Sequence, residues 1–250
     1  MPDHVLTIFA HPDDAETMAG GSLLHLASTG ARLTLCIVTD GDKGTNDETD
    51  SAAAVIARRR REQARAAARL GAEVVYLGFE DGLVQPTLEL RKALVRVIRQ
   101  LRPDIILTHD PTVWFRHNVY INHPDHRAVG QAVLEAVYPA VKKPRTFPDL
   151  FERENLAPHV VGEIWVGPTD HPNHWVDISR HLEEKIALIC EHASQFPPEP
   201  TRAAFTRLAR EAGAPAGLAA AESFRRLYQV RQTVRALANP DTPGAGPTGQ

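Results

Sequence analysis

The chain has 250 residues, 43% of them hydrophobic, and a formal net charge of -3. This length suits one α/β domain with a large core, and scattered basic residues on a weakly acidic chain argue against nucleic-acid binding. Two cysteines, Cys36 and Cys190, are too few for a disulfide framework. With no apolar run of membrane-spanning length and no basic-then-apolar leader, we expect a cytoplasmic protein without a membrane partner.

The first half of the chain alternates predicted strands and helices. Strands are predicted at 5–9, 33–38, 74–77 and 105–108, and helices from about 20 to Gly30, at 52–70 and at 87–101. The second strand is nearly all apolar, as expected of a strand covered on both faces. Repeated strand–helix units with short connections predict right-handed βαβ crossovers and a parallel sheet.

The second half is less regular. A loop is predicted at 114–122, a helix at 127–137, a Pro-, Lys- and Arg-rich excursion at 139–158, strands at 161–166 and 175–178, a helix at 181–192, a proline break at 197–200, and helices at 202–212 and 218–231. From 239 onward Pro, Gly and Thr dominate, which is typical of a disordered tail. The expected organisation is one domain over 1–238 and a tail over 239–250.

His11, Asp13 and Asp14 form a compact motif directly after the first predicted strand. The carboxyl ends of strands are where open α/β sheets place ligand sites. One imidazole and two carboxylates suit a divalent metal, zinc first, with one carboxylate to spare. Because a catalytic zinc takes three protein ligands plus water, the motif predicts a distant third ligand.

The best candidate for that ligand is the second motif, His123-Pro124-Asp125-His126, which precedes a predicted helix. Pro124 suits the first helical position, and residues three apart share a helix face. Two such clusters at strand-to-helix switches predict a metal site.

Structural readings of the same residues stay open. Asp13 could cap the following helix, and His123 could be a cap or a loop residue. His109 and Asp110 lie at a strand end, where a hydrogen-bonded structural role is at least as plausible as a catalytic one. The segment from His171 to His174 imitates the metal motif in spacing, but it lacks an acidic residue and is interpreted as a turn.

These motifs, together with WVDI at 175–178 and HASQ at 192–195, resemble the PIG-L/LmbE-like family of zinc-dependent N-deacetylases. The resemblance implies a Rossmann-like three-layer α/β fold with a mainly parallel sheet and a metal site at the carboxyl ends of its strands. Carried over position by position, it implies the following roles: His11, Asp14 and His126 bind Zn²⁺, with Fe²⁺ as an alternative, Asp13 is the general base, His123 stabilises or protonates the reacting group, and Asp125 orients His123.

The resemblance further implies that Asp42, Arg59 and Asp81 contact substrate, although any of the arginines at 58–61 could point inward. Relatives often assemble as trimers or hexamers, so a homo-oligomer is expected. Two departures stand out. Ala15 intervenes before Glu16 where many relatives place Glu directly after the aspartates. Ile121 occupies a position that is tyrosine in some relatives, and Tyr120 is one place early.

The expected function is therefore a zinc-dependent hydrolase that removes an N-acyl group, in particular acetyl, from an amino-sugar conjugate such as an N-acetylglucosamine derivative. One alternative is a non-catalytic metal- or sugar-binding relative, which the spare carboxylate of Asp13 disfavours. Another is a nucleotide-sugar-binding transferase. It is disfavoured because the first strand leads into His-Pro-Asp-Asp, with no glycine-rich phosphate loop.

Overall fold

The computed structural model describes residues 2–116, 118 and 120–229. The first half comprises β1 (His4–Phe9), α1 (Asp14–Ser28), β2 (Arg32–Thr39), α2 (Ala52–Leu70), β3 (Glu73–Phe79), α3 (Leu88–Leu101) and β4 (Ile105–Thr108). The second half comprises β5 (Phe115–Arg116), β6 (Tyr120–Ile121), α4 (Pro124–Val137), α5 (Pro148–Glu152), β7 (Glu163–Val166), β8 (His174–Asp177), α6 (Leu182–Cys190), α7 (Pro198–Gly213) and β9 (Ala221–Tyr228). Short 3₁₀ turns cover Ala140–Lys142 and Ala214–Ala216.

Within the described residues, seven strands form one sheet in the order β3-β2-β1-β4-β7-β9-β8. The neighbours from β3 to β7 are parallel, whereas β9 runs antiparallel to both β7 and β8. In the register, Val5 of β1 pairs with Leu33 of β2 and Ile105 of β4. The prediction of a mainly parallel α/β sheet is confirmed, and the carboxyl ends of β1, β2 and β4 lie side by side.

Two apolar cores cover the two faces of the sheet. On β1, Leu6 and Ile8 pack into the core formed with α3 and α4. The alternate residues Val5 and Phe9 pack into the core formed with α1, α2 and α6. Side chains of a strand point to opposite faces in turn, so the apolar run of β1 serves both cores. The three-layer arrangement that the resemblance implied is confirmed.

The polar cap and the glycine stop of α2 explain why its predicted bounds, 52–70, match the structure. Ser51 caps the first turn by accepting a hydrogen bond from the backbone N–H of Ala54. Gly71 ends the helix with φ 64°, a left-handed conformation that glycine adopts readily.

The helix predicted at 218–231 is wrong, since 221–228 form strand β9. Ala, Glu, Arg and Leu favour helices locally, but β9 fills the gap between β7 and β8, forms ladders with both, and buries Phe224. Tertiary pairing has overridden local propensity. Residues 230 and 231 lie outside the described part.

Other predicted bounds also need correction. α1 begins at Asp14, not near Gly20, and α7 begins at Pro198, inside the segment predicted as a break. Proline fits a first helical turn because the N–H it lacks has no intrahelical partner there. The loop predicted at 114–122 contains the antiparallel pair β5–β6.

Two further expectations concern the tail of the chain and membrane-spanning helices. The tail expected at 239–250 lies outside the described residues. Among the helices that the structure describes, none combines the length and apolar character needed to cross a membrane.

Candidate metal centre and active site

Three predicted ligands meet at the carboxyl edge of the sheet. His11 follows β1, Asp14 opens α1, and His126 lies in the first turn of α4. His11 Nδ1 lies 3.3 Å from Asp14 Oδ2 and 3.3 Å from His126 Nε2, and His126 Nε2 lies 3.2 Å from Asp14 Oδ1. A tetrahedral zinc with bonds of about 2.0–2.1 Å has ligand-to-ligand edges of about 3.3–3.4 Å. The three contacts of this triangle of residues, one through each Asp14 oxygen and one between the two rings, therefore have the lengths that a zinc ion requires.

Hydrogen bonds on the far side of each ring set the tautomers. Asn122 Nδ2 donates to Val113 O, so Asn122 Oδ1 is the atom that accepts from His126 Nδ1 at 3.1 Å. His11 Nε2 lies 3.1 Å from Asp81 Oδ1 and 3.3 Å from an oxygen of Asp125. In the neutral rings these nitrogens carry the proton, so that His11 Nδ1 and His126 Nε2 can each direct a lone pair into the triangle once a metal replaces the second proton of His11, as histidine ligands of metals do.

The charge around His11 also favours a cation. Burial opposes protonation of His11, but its contacts with Asp125, Asp14 and Asp81 raise its pKa to about 12. Three carboxylates around one imidazole leave an excess of negative charge in a buried place. A bound divalent cation would balance that charge.

His109 follows β4 and lies beside the triangle, but its hydrogen bond goes to the protein backbone. Its Nε2 accepts a hydrogen bond from the N–H of Ala10 at 3.0 Å, and its ring stacks on that of His126 with centroids 4.1 Å apart. Burial lowers the pKa of His109 to about 3, so the ring is neutral. His109 lies with Asp14 and His126 in a group that could hold a metal, but because its Nε2 lone pair already accepts the Ala10 N–H, we interpret it as a support for the His126 ring.

Asp13 stands at the N-cap position of α1 in an unusual conformation, with φ 101° and ψ -24°. A left-handed backbone at a residue other than glycine costs about 1–3 kcal/mol and persists only where its surroundings enforce it. The Asp13 side chain does not cap the helix, so the capping alternative is wrong. Its Oδ2 accepts a hydrogen bond from Arg59 Nη2 at 2.7 Å. Burial and the charge of Asp14 raise the pKa of Asp13 to about 6, although Arg59 opposes them.

His123 is the N-cap of α4, and its Nδ1 accepts the backbone N–H of Asp125 at 3.2 Å. In the neutral ring the proton is therefore on Nε2. The ring packs edge-on against that of His11, with centroids 4.7 Å apart, and is half-buried. Burial and the charge on His11 lower the pKa of His123.

The Asp125 carboxylate is fully buried, and its hydrogen bonds go to groups other than the His123 ring. It accepts the backbone N–H groups of Gly82 at 2.7 Å and Val84 at 3.2 Å, and it contacts His11. The structure thus links Asp125 to His123 through the Asp125 backbone N–H, and its carboxylate orients His11 and the loop after β3.

Of the four arginines at 58–61, Arg59 points inward and is 4% exposed. It donates to Pro12 O, Asp13 Oδ2 and Gly41 O. Its guanidinium lies against the loop after β2, where a Cβ added to Gly41 would come within 2.0 Å of Arg59 Nη1. Arg58 and Arg60 pair with aspartates nearer the surface.

The other two residues assigned to substrate lie close by. Asp81 is buried, and its Oδ2 accepts the N–H of Lys43 at 2.9 Å while Oδ1 faces His11. Asp42 is half-buried on the loop after β2, beside Lys43. The structure therefore gathers all nine predicted site residues at one edge of the sheet.

The sequence analysis assigned no role to four buried polar residues in or behind this site: Glu16, Gln63, Asn122 and His192. Glu16 and Gln63 occupy inward-facing positions of α1 and α2, where an apolar residue is expected. A polar side chain at such a position is a signal that could have identified them, because burying it without partners is costly.

The sheet and the buried histidine and aspartate donors at its carboxyl edge define an α/β protein whose site can hold a divalent cation. The family model described as "PIG-L: GlcNAc-PI de-N-acetylase" matches residues 6–137. The diacetylchitobiose deacetylase of Thermococcus kodakarensis is 37% identical over 196 residues, which cover 78% of this chain and 71% of that protein. The probable N-acetyl-alpha-D-glucosaminyl L-malate deacetylase 2 of Bacillus anthracis is 28% identical, over 77% and 81% of the two chains.

Among solved structures, the N,N'-diacetylchitobiose deacetylase of Pyrococcus horikoshii superposes with a TM-score of 0.83 at 31% identity, covering 91% of this chain and 84% of that one. The chain belongs to the PIG-L family, as the resemblance predicted. Its named relatives are deacetylases, which hydrolyse amides, so the chain is an enzyme of the hydrolase class.

Proposed function

We propose that this protein is a zinc-dependent N-deacetylase that removes the acetyl group from an amino-sugar conjugate such as an N-acetylglucosamine derivative. The observation that carries the proposal is the ligand-sized triangle of His11, Asp14 and His126 with the spare carboxylate of Asp13 beside it. Relatives named for diacetylchitobiose and for a glucosaminyl malate support the substrate class.

His11 Nδ1, Asp14 and His126 Nε2 would hold the metal, and the same nitrogen and oxygen donors would also accept Fe²⁺. When bound, zinc lowers the pKa of its water from about 15.7 to about 7 and polarises a carbonyl oxygen. The protein supplies the rest: Asp81, Asp125 and Asn122 hold the rings at the angle that the ligand set needs.

Asp13 is the proposed general base. A carboxyl group whose pKa is raised to about 6 is a better proton acceptor near neutral pH than an ordinary aspartate. Arg59 holds Oδ2, which leaves Oδ1 to take a proton from the attacking water. The same proton can then pass to the amine that leaves.

His123 is the proposed donor to the reacting group. Because Nδ1 accepts the Asp125 N–H, the neutral ring presents its Nε2–H, which can stabilise the developing oxyanion by a hydrogen bond, while the proton for the amine comes from Asp13. Removing such a donor typically lowers the rate by about 10²–10³.

Asp42 is the candidate for direct contact with sugar hydroxyls, since it is half-exposed on the loop beside the site. Arg59 and Asp81 are bound to protein groups, so we propose that they act on substrate through Asp13 and His11.

The test is acetate release by zinc-free and zinc-reloaded protein with three substrates: N,N'-diacetylchitobiose, N-acetylglucosaminyl malate and N-acetylglucosaminyl inositol. We expect release from at least one of them, only with metal, and none from His126→Ala. The control is His171→Ala. It removes an exposed histidine from the segment 171–174, which resembles the metal motif only in its spacing, and it should keep full activity. Protein that binds zinc at one per chain and releases acetate from none of the three would instead indicate a non-catalytic relative.

A further inference from the structure

Helix α2 holds Asp13 in its left-handed conformation at two points. Arg59 donates to Pro12 O at 2.6 Å and to Asp13 Oδ2 at 2.7 Å. Gln63, one turn further along α2, accepts the backbone N–H of Asp13 through its Oε1 at 3.2 Å. Arg59 thus holds the side chain, and Gln63 holds the peptide that sets φ.

The orientation of the Gln63 amide is itself fixed by a second buried residue. Gln63 Nε2 donates to Glu16 Oε1 at 2.7 Å, which turns Oε1 toward Asp13. Behind Glu16, His192 Nε2 lies 3.4 Å from Oε2. Gln63, Glu16 and His192 are all 0% exposed.

Three fully buried polar side chains need an explanation. If they only filled space, apolar residues of the same shape could replace them at little cost in stability. The hydrogen bonds from Glu16 through Gln63 end at the backbone N–H of Asp13. Asp13 has a positive φ and lies next to the predicted metal ligand Asp14. The positioning of that peptide is what these bonds achieve together.

We propose that Gln63 is a positioning residue for Asp13: Glu16, backed by His192, fixes the Gln63 amide, which holds the Asp13 N–H and keeps its carboxylate aligned for proton transfer. This inference rests on the proposed function, in which Asp13 is the general base. Without the acceptor the Asp13 peptide relaxes toward a more common backbone conformation and carries the carboxylate away from the reacting water. A misplacement of this kind, of about 1 Å, can lower a rate by about 10²-fold.

Gln63→Met tests the proposal, since methionine has a similar length but no amide. We expect kcat to fall by about 10- to 100-fold, with KM and the zinc content per chain unchanged. The matched control is Thr34→Val, which removes a buried 2.9 Å hydrogen bond to His4 at the opposite end of the sheet. It should lower Tm and leave kcat intact.

Parental kcat in Gln63→Met, or an equal loss of kcat in Thr34→Val, overturns the proposal. If Gln63→Met does not fold, Gln63→Asn decides the point. Asparagine keeps an amide but is one methylene too short to bridge Asp13 and Glu16, so the same loss of kcat is expected and parental kcat overturns the inference.

Asp13→Asn separates the positioning role of Gln63 from the role of Asp13 as general base. An inactive Asp13→Asn beside a fully active Gln63→Met refutes the role of Gln63 and leaves the proposed deacetylase intact. A fully active Asp13→Asn refutes the general base, and the positioning role of Gln63 falls with it.

Discussion

If His126 is a metal ligand as proposed, its hydrogen bond with Asn122 makes metal affinity depend on a residue outside the predicted ligand set. Asn122 is 7% exposed, and its Oδ1 is 3.1 Å from His126 Nδ1. Asn122→Leu leaves that N–H without its acceptor and frees the ring to rotate. Loss of such an outer partner typically weakens metal binding by about 10- to 100-fold, equivalent to about 1.4–2.8 kcal/mol.

The assay is an equilibrium competition for zinc between the protein and a coloured chelator. Two variants serve as controls. Asn122→Asp keeps an oxygen acceptor for His126 and should bind zinc at least as tightly as the parent protein. Tyr120→Phe removes a hydroxyl 3.4 Å from Asn122 Oδ1 without touching His126, and should leave the affinity unchanged. Parental zinc affinity in Asn122→Leu would refute the claim that this bond sets the tautomer of a metal ligand.

Three further outcomes are expected. Gly41→Ala should lower both Tm and activity, because its Cβ would lie 2.0 Å from Arg59 Nη1. The control is Gly30→Ala, which is also at positive φ but has open space around it and should lower Tm alone. Asp125→Asn should lower the free energy of unfolding by about 1–3 kcal/mol in urea titration, because one of two buried oxygens that accept backbone N–H groups becomes an amide; unchanged stability would contradict the assigned bonds. Removal of metal with EDTA should abolish acetate release and added zinc should restore it, whereas activity that survives exhaustive chelation would argue against metal dependence.

Local patterns predicted most of the first half of the fold, because caps and stops there agree with the tertiary structure. The run of α2 between Ser51 and Gly71 is one case, and the buried strand β4 is another. Strand β9 shows the opposite, since 221–228 carry helix-favouring residues and become a strand only because β7 and β8 lie on either side. A single sequence does not show which neighbours a segment will have.

The candidate site likewise combines residues that the sequence identified with supporting contacts that it did not. The proximity of His11, Asp14 and His126 could be predicted because metal chemistry demands particular residue types at strand ends. The supporting contacts could not, since Asn122 and Gln63 gain their roles from distances that only folding sets. The direction of the Asp125 carboxylate, toward His11 and the amides of Gly82 and Val84, was also invisible in the motif.

The most direct test of the central claim is to measure zinc content and acetate release together in Asp13→Asn. Asparagine keeps an oxygen for Arg59 Nη2 but does not take a proton from water. We predict one zinc per chain, as in the parent protein, with kcat lowered by about 10²–10⁴. Zinc-loaded Asp13→Asn that releases acetate at the parental rate would contradict the assignment of Asp13 as the general base and the mechanism built on it.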